Sequence, residues 1–129
     1  MNVGRRRILV VDADCRAARE VSAVLAEEDL GIEAAGSVGQ AAKMIRDAKY
    51  DCVIMDVNLP DMKGYEAVPV LKTIDPEIQI IMTAFENTLE LEAKVRQQDI
   101  FYYYIKSFDV EELSEAVRDV FKRLERLKR

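Results

Sequence analysis

The stretch "RILVVDADC", Arg7 to Cys15, sets the reading of the chain. Four apolar residues, Ile8 to Val11, form a continuous run of strand length. The run ends in Asp12, Ala13 and Asp14. Burying an unpaired carboxylate costs on the order of several kcal/mol, so acids at a strand's end reach solvent, a partner or a cation. An Asp-Ala-Asp edge therefore raises the question of a cation site in which Ala13 stands where a ligand would be.

Outward from this strand the pattern alternates. Further strand-like runs are "IEAA" (32–35), "CVIM" (52–55, ending at Asp56), "EIQIIMTA" (77–84) and "FYYYI" (101–105). Between them the spacing predicts helices. The first covers 15–30 and is ended by Gly31; the second covers 38–50 and is N-capped by Ser37. The third covers 65–74, where Pro69 is expected to kink or shorten it. The fourth covers 87–98, capped by Asn87 or Thr88. The last covers 110–129, N-capped by Asp109 with Glu112 completing a capping box. "NLPDMKG" (58–64) reads as a loop. Five strands alternating with five helices define an α/β fold with a mostly parallel sheet, its right-handed crossovers placing helices on both faces. With no internal repeat or linker, residues 1–129 are expected to form one domain. Residues 122–129 are then a C-terminal helix extension, or a linker to an output domain absent from this sequence.

Composition removes several function classes. The chain has no histidine, which excludes the usual triads and histidine-bearing zinc sites. Two distant cysteines, Cys15 and Cys52, make neither a disulfide framework nor a metal knuckle, and the cytoplasm is the default compartment. No apolar run approaches the roughly 20 residues of a membrane span, and the N-terminal run is too short for a signal peptide. Arg5 to Arg7 and the final "KRLERLKR" are basic, but residues 8 to 121 hold 23 of the 24 acids and 11 of the 19 basic residues. That body repels a phosphate backbone, so nucleic-acid binding by this domain alone is not expected.

In a parallel α/β sheet, ligands bind beyond the carboxyl ends of the strands. Here those ends read Asp12, Asp56, Thr83 and Lys106. Carboxylates gathered at one rim repel, and a hard cation such as Mg²⁺ relieves this through oxygen ligands. A carboxylate can attack phosphorus to form an acyl phosphate, with an ammonium neutralising the transferring group. No Walker pattern competes with this reading.

"ILVVDAD", "DCVIMDVNLPDMKGYE", "IQIIMTAF" and "FYYYIKSF" together resemble the receiver domain of two-component response regulators. The resemblance covers residues 6–121. It implies a doubly wound, flavodoxin-like sheet of order 2-1-3-4-5 flanked by five helices. It implies that Asp56 accepts a phosphoryl group, with Mg²⁺, from a sensor histidine kinase or phosphotransfer protein. It further implies Thr83 as the switch hydroxyl, Lys106 as the catalytic lysine, Asp12 and Asp56 as metal ligands with the Asn58 carbonyl, and Tyr103 as the switch aromatic. Such a domain catalyses its own phosphorylation and dephosphorylation, yet is a signalling switch and not a metabolic enzyme. The alternative is a degenerate receiver that binds proteins without phosphate.

Three departures qualify the resemblance. The family has a second acid directly after the first, where this chain has Ala13. Either Ala13 replaces the ligand and Mg²⁺ binds weakly, or Ala13 is inserted and Asp14 supplies the acid, which would also bring Arg19 to a position where the family often has arginine. Substitution is the preferred reading. Ser107 stands where the family has proline, so a trans or strained bond is expected there. Asp99-Ile100 stands where the family tends to Gly-Ala. Finally, Leu113, Val117, Val120, Leu124 and Leu127 are spaced as a heptad seam, which predicts self-association or an output-linker helix. A homodimer through the fourth helix, fifth strand and fifth helix is the corresponding expectation.

Overall fold

The computed structural model describes residues 6–25, 30–106 and 110–127. Its elements run β1 (Arg6–Val11), α1 (Ala17–Val24), β2 (Leu30–Ala35), α2 (Val38–Asp47) and β3 (Cys52–Asp56). They continue with α3 (Gly64–Ile74), β4 (Gln79–Ala84), α4 (Leu89–Arg96), β5 (Tyr102–Ile105) and α5 (Val110–Leu127). All four strand pairings are parallel, and the sheet order is β2-β1-β3-β4-β5.

Side chains alternate across the pleat, so each strand feeds two cores. Leu9, Val11, Val53, Met55, Ile80 and Met82 pack with Ala41, Ile45, Val68, Leu71 and Val95 of α2, α3 and α4. Ile8, Val10, Cys52, Ile54 and Ile81 pack with Val21 and Leu25, and with Leu113, Val117, Val120 and Phe121 of α5. Because both faces of β1 and β3 are covered, their sequences read as unbroken apolar runs.

Three expected boundaries move. Gly31 does not stop α1, which ends at Val24. It lies inside β2, opposite Arg7, because Leu30 is buried in the core and pairs with Arg6. Pro69 does not break α3, which continues to Ile74. An interior proline costs about 3 kcal/mol, but Ala67, Val68 and Leu71 are buried around it, and that burial outweighs the cost. The second helix stops at Asp47, and Tyr50 is buried in the core beyond it. Ser37 caps α2, its Oγ accepting the Gln40 N–H at 3.1 Å. Thr88, and not Asn87, caps α4 by accepting the Leu91 N–H at 3.0 Å. The expectations for Asp109 and for the Lys106–Ser107 bond lie outside the described residues.

The heptad seam on α5 is the helix's core-facing stripe. Leu113, Val117 and Val120 are buried, Leu124 packs against the same cluster, and Leu127 is exposed. Arg6 fixes this end of the helix. Its guanidinium lies 4.5 Å from the Phe121 ring centre and pairs with Glu125.

A second polar cluster ties β1 to β2 at the opposite end of the sheet from the strand-end acids. Arg7 donates to Glu33 Oε1 at 2.6 Å, and the Tyr50 hydroxyl donates to the same oxygen at 2.6 Å. Burial, followed by the Glu33 carboxylate, pushes the Tyr50 phenol up to about 12. The folded state therefore holds this proton more tightly than the unfolded chain. The stability it contributes is complete below the ordinary tyrosine pKa of about 10 and is lost as pH rises through about 12. Absorbance titration should show one tyrosine ionising last, near pH 12, and Glu33→Gln should bring it down.

Candidate phosphoacceptor site

The parallel register brings the strand ends to one rim. Val11 is opposite Met55, so Asp12 follows β1 beside Asp56 at the end of β3. Asp56 is opposite Thr83, and β5 continues into Lys106, whose N–H donates to the Ala84 carbonyl at 2.8 Å. The Lys106 ammonium joins the two carboxylates, at 2.5 Å from Asp12 Oδ2 and 2.9 Å from Asp56 Oδ1. Thr83 Oγ1 makes a long hydrogen bond of 3.3 Å to Asp56 Oδ1. Asp56 Oδ2 accepts the Asn58 N–H at 2.9 Å, and Asp12 Oδ1 accepts the Asp14 N–H at 2.9 Å. Asp56 and Thr83 are buried.

The electrostatics follow from this packing. Burial alone would push the Lys106 amine down, but hydrogen bonds to Asp12 and Asp56 outweigh it and hold the ammonium above its ordinary value. Lys106 is thus a fixed positive charge at physiological pH. Asp14 behaves differently. Both of its oxygens accept from the Arg16 side chain, at 3.1 and 2.9 Å, and Oδ1 also accepts the Arg16 N–H at 2.9 Å. These bonds hold its carboxyl at about 2. The Asp14 carboxylate thus serves the start of α1, and the hydrogen bonds it accepts come from Arg16. Among the described residues no group of three or more acids, cysteines or histidines gathers as a metal cluster.

The loop after β3 is built around a close approach. A Cβ on Gly64 would lie 2.2 Å from the Asp56 carbonyl oxygen, so only glycine fits there. Gly64 N–H donates to the Val57 carbonyl at 2.8 Å, and Lys63 Nζ donates to Asn58 Oδ1 at 3.1 Å.

Tyr103 is buried, and its hydroxyl donates to Asn87 Oδ1 at 2.7 Å. Asn87 Nδ2 donates to Glu92 Oε1 at 2.8 Å, and Arg96 Nε donates to Glu92 Oε2 at 3.4 Å. The Arg96 guanidinium lies 5.8 Å from the Tyr103 ring centre, which closes the circuit. Tyr103, Asn87, Glu92 and Arg96 also line an open cleft of about 700 Å³ with Phe85, Ile105 and Glu112. Sequence reading identified Tyr103 but missed Glu92 and Arg96 and took Asn87 only as a cap. Their i, i+4 spacing on α4 is a signal for the ion pair, but not for its contact with β5.

A doubly wound sheet with two acids, a threonine and a lysine at its C-terminal rim defines a phosphoacceptor domain of the receiver class. The response regulator receiver domain family matches residues 8–118, and the chain belongs to that family. The chain is 34% identical over 111 residues to the DNA-binding transcriptional regulator NtrC of Azospirillum brasilense, covering 85% of this chain and 23% of that protein. It is 33% identical over 119 residues to the DNA-binding response regulator MtrA of Mycobacterium tuberculosis, covering 92% of this chain and 51% of that protein. The chain thus spans about a quarter to about half of the length of these curated relatives. Among solved structures, a CheY-like receiver domain protein from Methanospirillum hungatei shares the fold with a TM-score of 0.86 at 24% identity, over 95% of this chain and 98% of that one. The beryllofluoride-activated NtrC4 receiver domain dimer does so with a TM-score of 0.83 at 24% identity, over 91% and 97%.

Proposed function

We propose that Asp56 is the residue that takes up the phosphoryl group, from a phosphohistidine of a sensor histidine kinase or phosphotransfer protein. The observation that carries this reading is the Lys106 ammonium held between Asp12 and Asp56, beside the Thr83 hydroxyl. An Asp56 carboxylate oxygen attacks phosphorus, the P–N bond breaks, and the imidazole leaves and takes up a proton. Lys106 neutralises charge on the transferring group, and Thr83 donates a hydrogen bond to a phosphoryl oxygen after transfer. No observation favours a phosphate-independent binding module, since Asp56, Thr83 and Lys106 all stand at the rim.

Two convergent carboxylates and a nearby backbone carbonyl suit a hard divalent cation. Asp12, Asp56 and the Asn58 carbonyl would hold Mg²⁺, which neutralises the charge that gathers when a phosphoryl group approaches these acids. The Ala13 side chain carries no oxygen, and the pairing of Asp14 with Arg16 supports substitution over insertion. Affinity is therefore expected to be weak. Ala13→Asp should tighten Mg²⁺ binding roughly ten-fold, about 1.4 kcal/mol, by isothermal titration. Unchanged affinity would contradict the substitution reading.

Tyr103 is proposed as the switch aromatic, held inward by Asn87. Asn87→Ala should release it toward the cleft and raise the quenching of tyrosine fluorescence by acrylamide. If quenching is unchanged, Asn87 does not hold the ring. Self-association is proposed on the face formed by α4, β5 and α5; Phe85, which lines the cleft beside β5, and Leu89, the first residue of α4, are 70% and 90% exposed. Light scattering with and without beryllofluoride checks it, and a monomer under both conditions would reject it. The cytoplasm is the proposed compartment, and among the described residues no helix is long and apolar enough to cross a membrane.

Intact-mass measurement with acetyl phosphate tests the function itself. The chain should gain one phosphoryl group with Mg²⁺ and far less with a chelator. No gain at saturating Mg²⁺ would reject the reading.

A further inference from the structure

We propose that Asp61 is a positioning residue for phosphoryl uptake, clamping the loop that follows Asp56 to the N-terminus of α2. Asp61 Oδ1 accepts the Val38 N–H at 3.0 Å, and Oδ2 accepts the Gly39 N–H at 2.9 Å. One carboxylate thereby satisfies two of the first N–H groups of a helix that lies more than twenty residues earlier in the chain. Ser37 satisfies the next, at Gln40. The two capping groups thus divide the same helix end between them, one local and one carried by the acceptor loop.

The loop's other polar bonds run to its own flanks. Asn58 N–H is fixed on Asp56 Oδ2, Asn58 forms a bridge with Lys63, and Gly64 N–H holds the Val57 carbonyl. Leu59 and Met62 add partly buried packing. Asp61 sits at the middle of this hairpin-like turn and ties it to a different element. Asn58, which contacts the acceptor carboxylate, is three residues away. A turn that rocks about its base displaces Asn58 relative to Asp56, and a displacement near 1 Å costs as much as about a hundred-fold in rate. The backbone N–H bonds also hold the Asp61 carboxyl below its ordinary value, so it remains charged in the clamp across the physiological range.

A plain helix cap would stabilise α2 without touching the reaction, and Ser37 provides the comparison. Asp61→Ala, Asp61→Asn and Ser37→Ala are compared by thermal unfolding, by isothermal titration with MgCl₂, and by the initial rate of phosphoryl uptake from acetyl phosphate. All are measured at a temperature where circular dichroism shows each variant folded. Asp61→Ala should slow uptake by about ten-fold or more and weaken Mg²⁺ binding. Asp61→Asn, which keeps one acceptor oxygen, should fall between it and the unaltered chain. Ser37→Ala should lower the unfolding temperature yet leave uptake and Mg²⁺ affinity within about two-fold. The proposal is overturned if Asp61→Ala takes up phosphate and binds Mg²⁺ like the unaltered chain, or if Ser37→Ala slows uptake equally. It rests on Asp56 as the acceptor. If the unaltered chain takes up no phosphoryl group, that reading fails, and the Mg²⁺ titration alone decides for or against the clamp.

Discussion

Asp56→Asn is expected to abolish phosphoryl uptake from acetyl phosphate, reducing the rate by about a thousand-fold or more while the fold survives. The substitution is nearly isosteric. The amide oxygen can still accept the Asn58 N–H or face Lys106, so packing at this buried position changes little. What is lost is the anionic nucleophile, which an amide does not replace. Asp12 keeps its bonds to Lys106 and the Asp14 N–H, and Asp14 keeps its bonds to Arg16, so the rest of the rim is unchanged in the variant. Stability can also shift, because the variant leaves Lys106 with a single carboxylate. Breaking one arm of a partly buried ion pair costs up to a few kcal/mol, moderated here by the remaining pair with Asp12. Intact-mass kinetics on both proteins, with circular dichroism as the control for folding, measure the effect. Uptake by Asp56→Asn at the unaltered rate would remove Asp56 from the chemistry.

Gly64→Ala is expected to be the most destabilising single-methyl change in the site, by about 3 kcal/mol or more. The added Cβ would lie 2.2 Å from the Asp56 carbonyl oxygen, 3.0 Å from its carbonyl carbon and 3.0 Å from Val57 Cα. All three are backbone atoms at the end of β3, where no flexible side chain can yield. The backbone of the acceptor residue must therefore move, which couples stability to reactivity. Phosphoryl uptake should fall even at temperatures where the variant is folded. Chemical denaturation and uptake kinetics give the two readings, and Gly39→Ala supplies a contrast, since its Cβ would approach only Asp61 Oδ2, at 3.5 Å. Equal stability of Gly64→Ala and the unaltered chain would contradict the close packing described.

Much of the site could be read directly from strand ends. Asp12, Asp56, Thr83 and Lys106 each follow or close an apolar run, and a parallel sheet delivers every such end to one rim. The order of the strands was not available from periodicity and came from resemblance to the receiver family. Other features depended on tertiary contacts that no local pattern encodes. Gly31 looks like a helix stop, but pairing with β1 draws it into a strand. Pro69 looks like a break, but the buried face of α3 carries the helix through it. Asp61 reads as a turn residue, and its hydrogen bonds to α2 cross twenty-two and twenty-three positions. Asp14 was the reverse case. Its pairing with Arg16 is local, two residues away, and an aspartate that bonds the backbone two positions on is a familiar turn device. The family pattern drew attention to the cation instead.

The most direct test of Asp56 as the acceptor is to trap the acyl phosphate and locate it. The chain is incubated with acetyl phosphate and Mg²⁺, reduced with borohydride to convert an aspartyl phosphate to homoserine, digested, and read by tandem mass spectrometry. The account predicts homoserine at position 56 and at no other aspartate. Conversion at Asp12 or Asp14 instead, or phosphate recovered on a hydroxyl side chain, would contradict it.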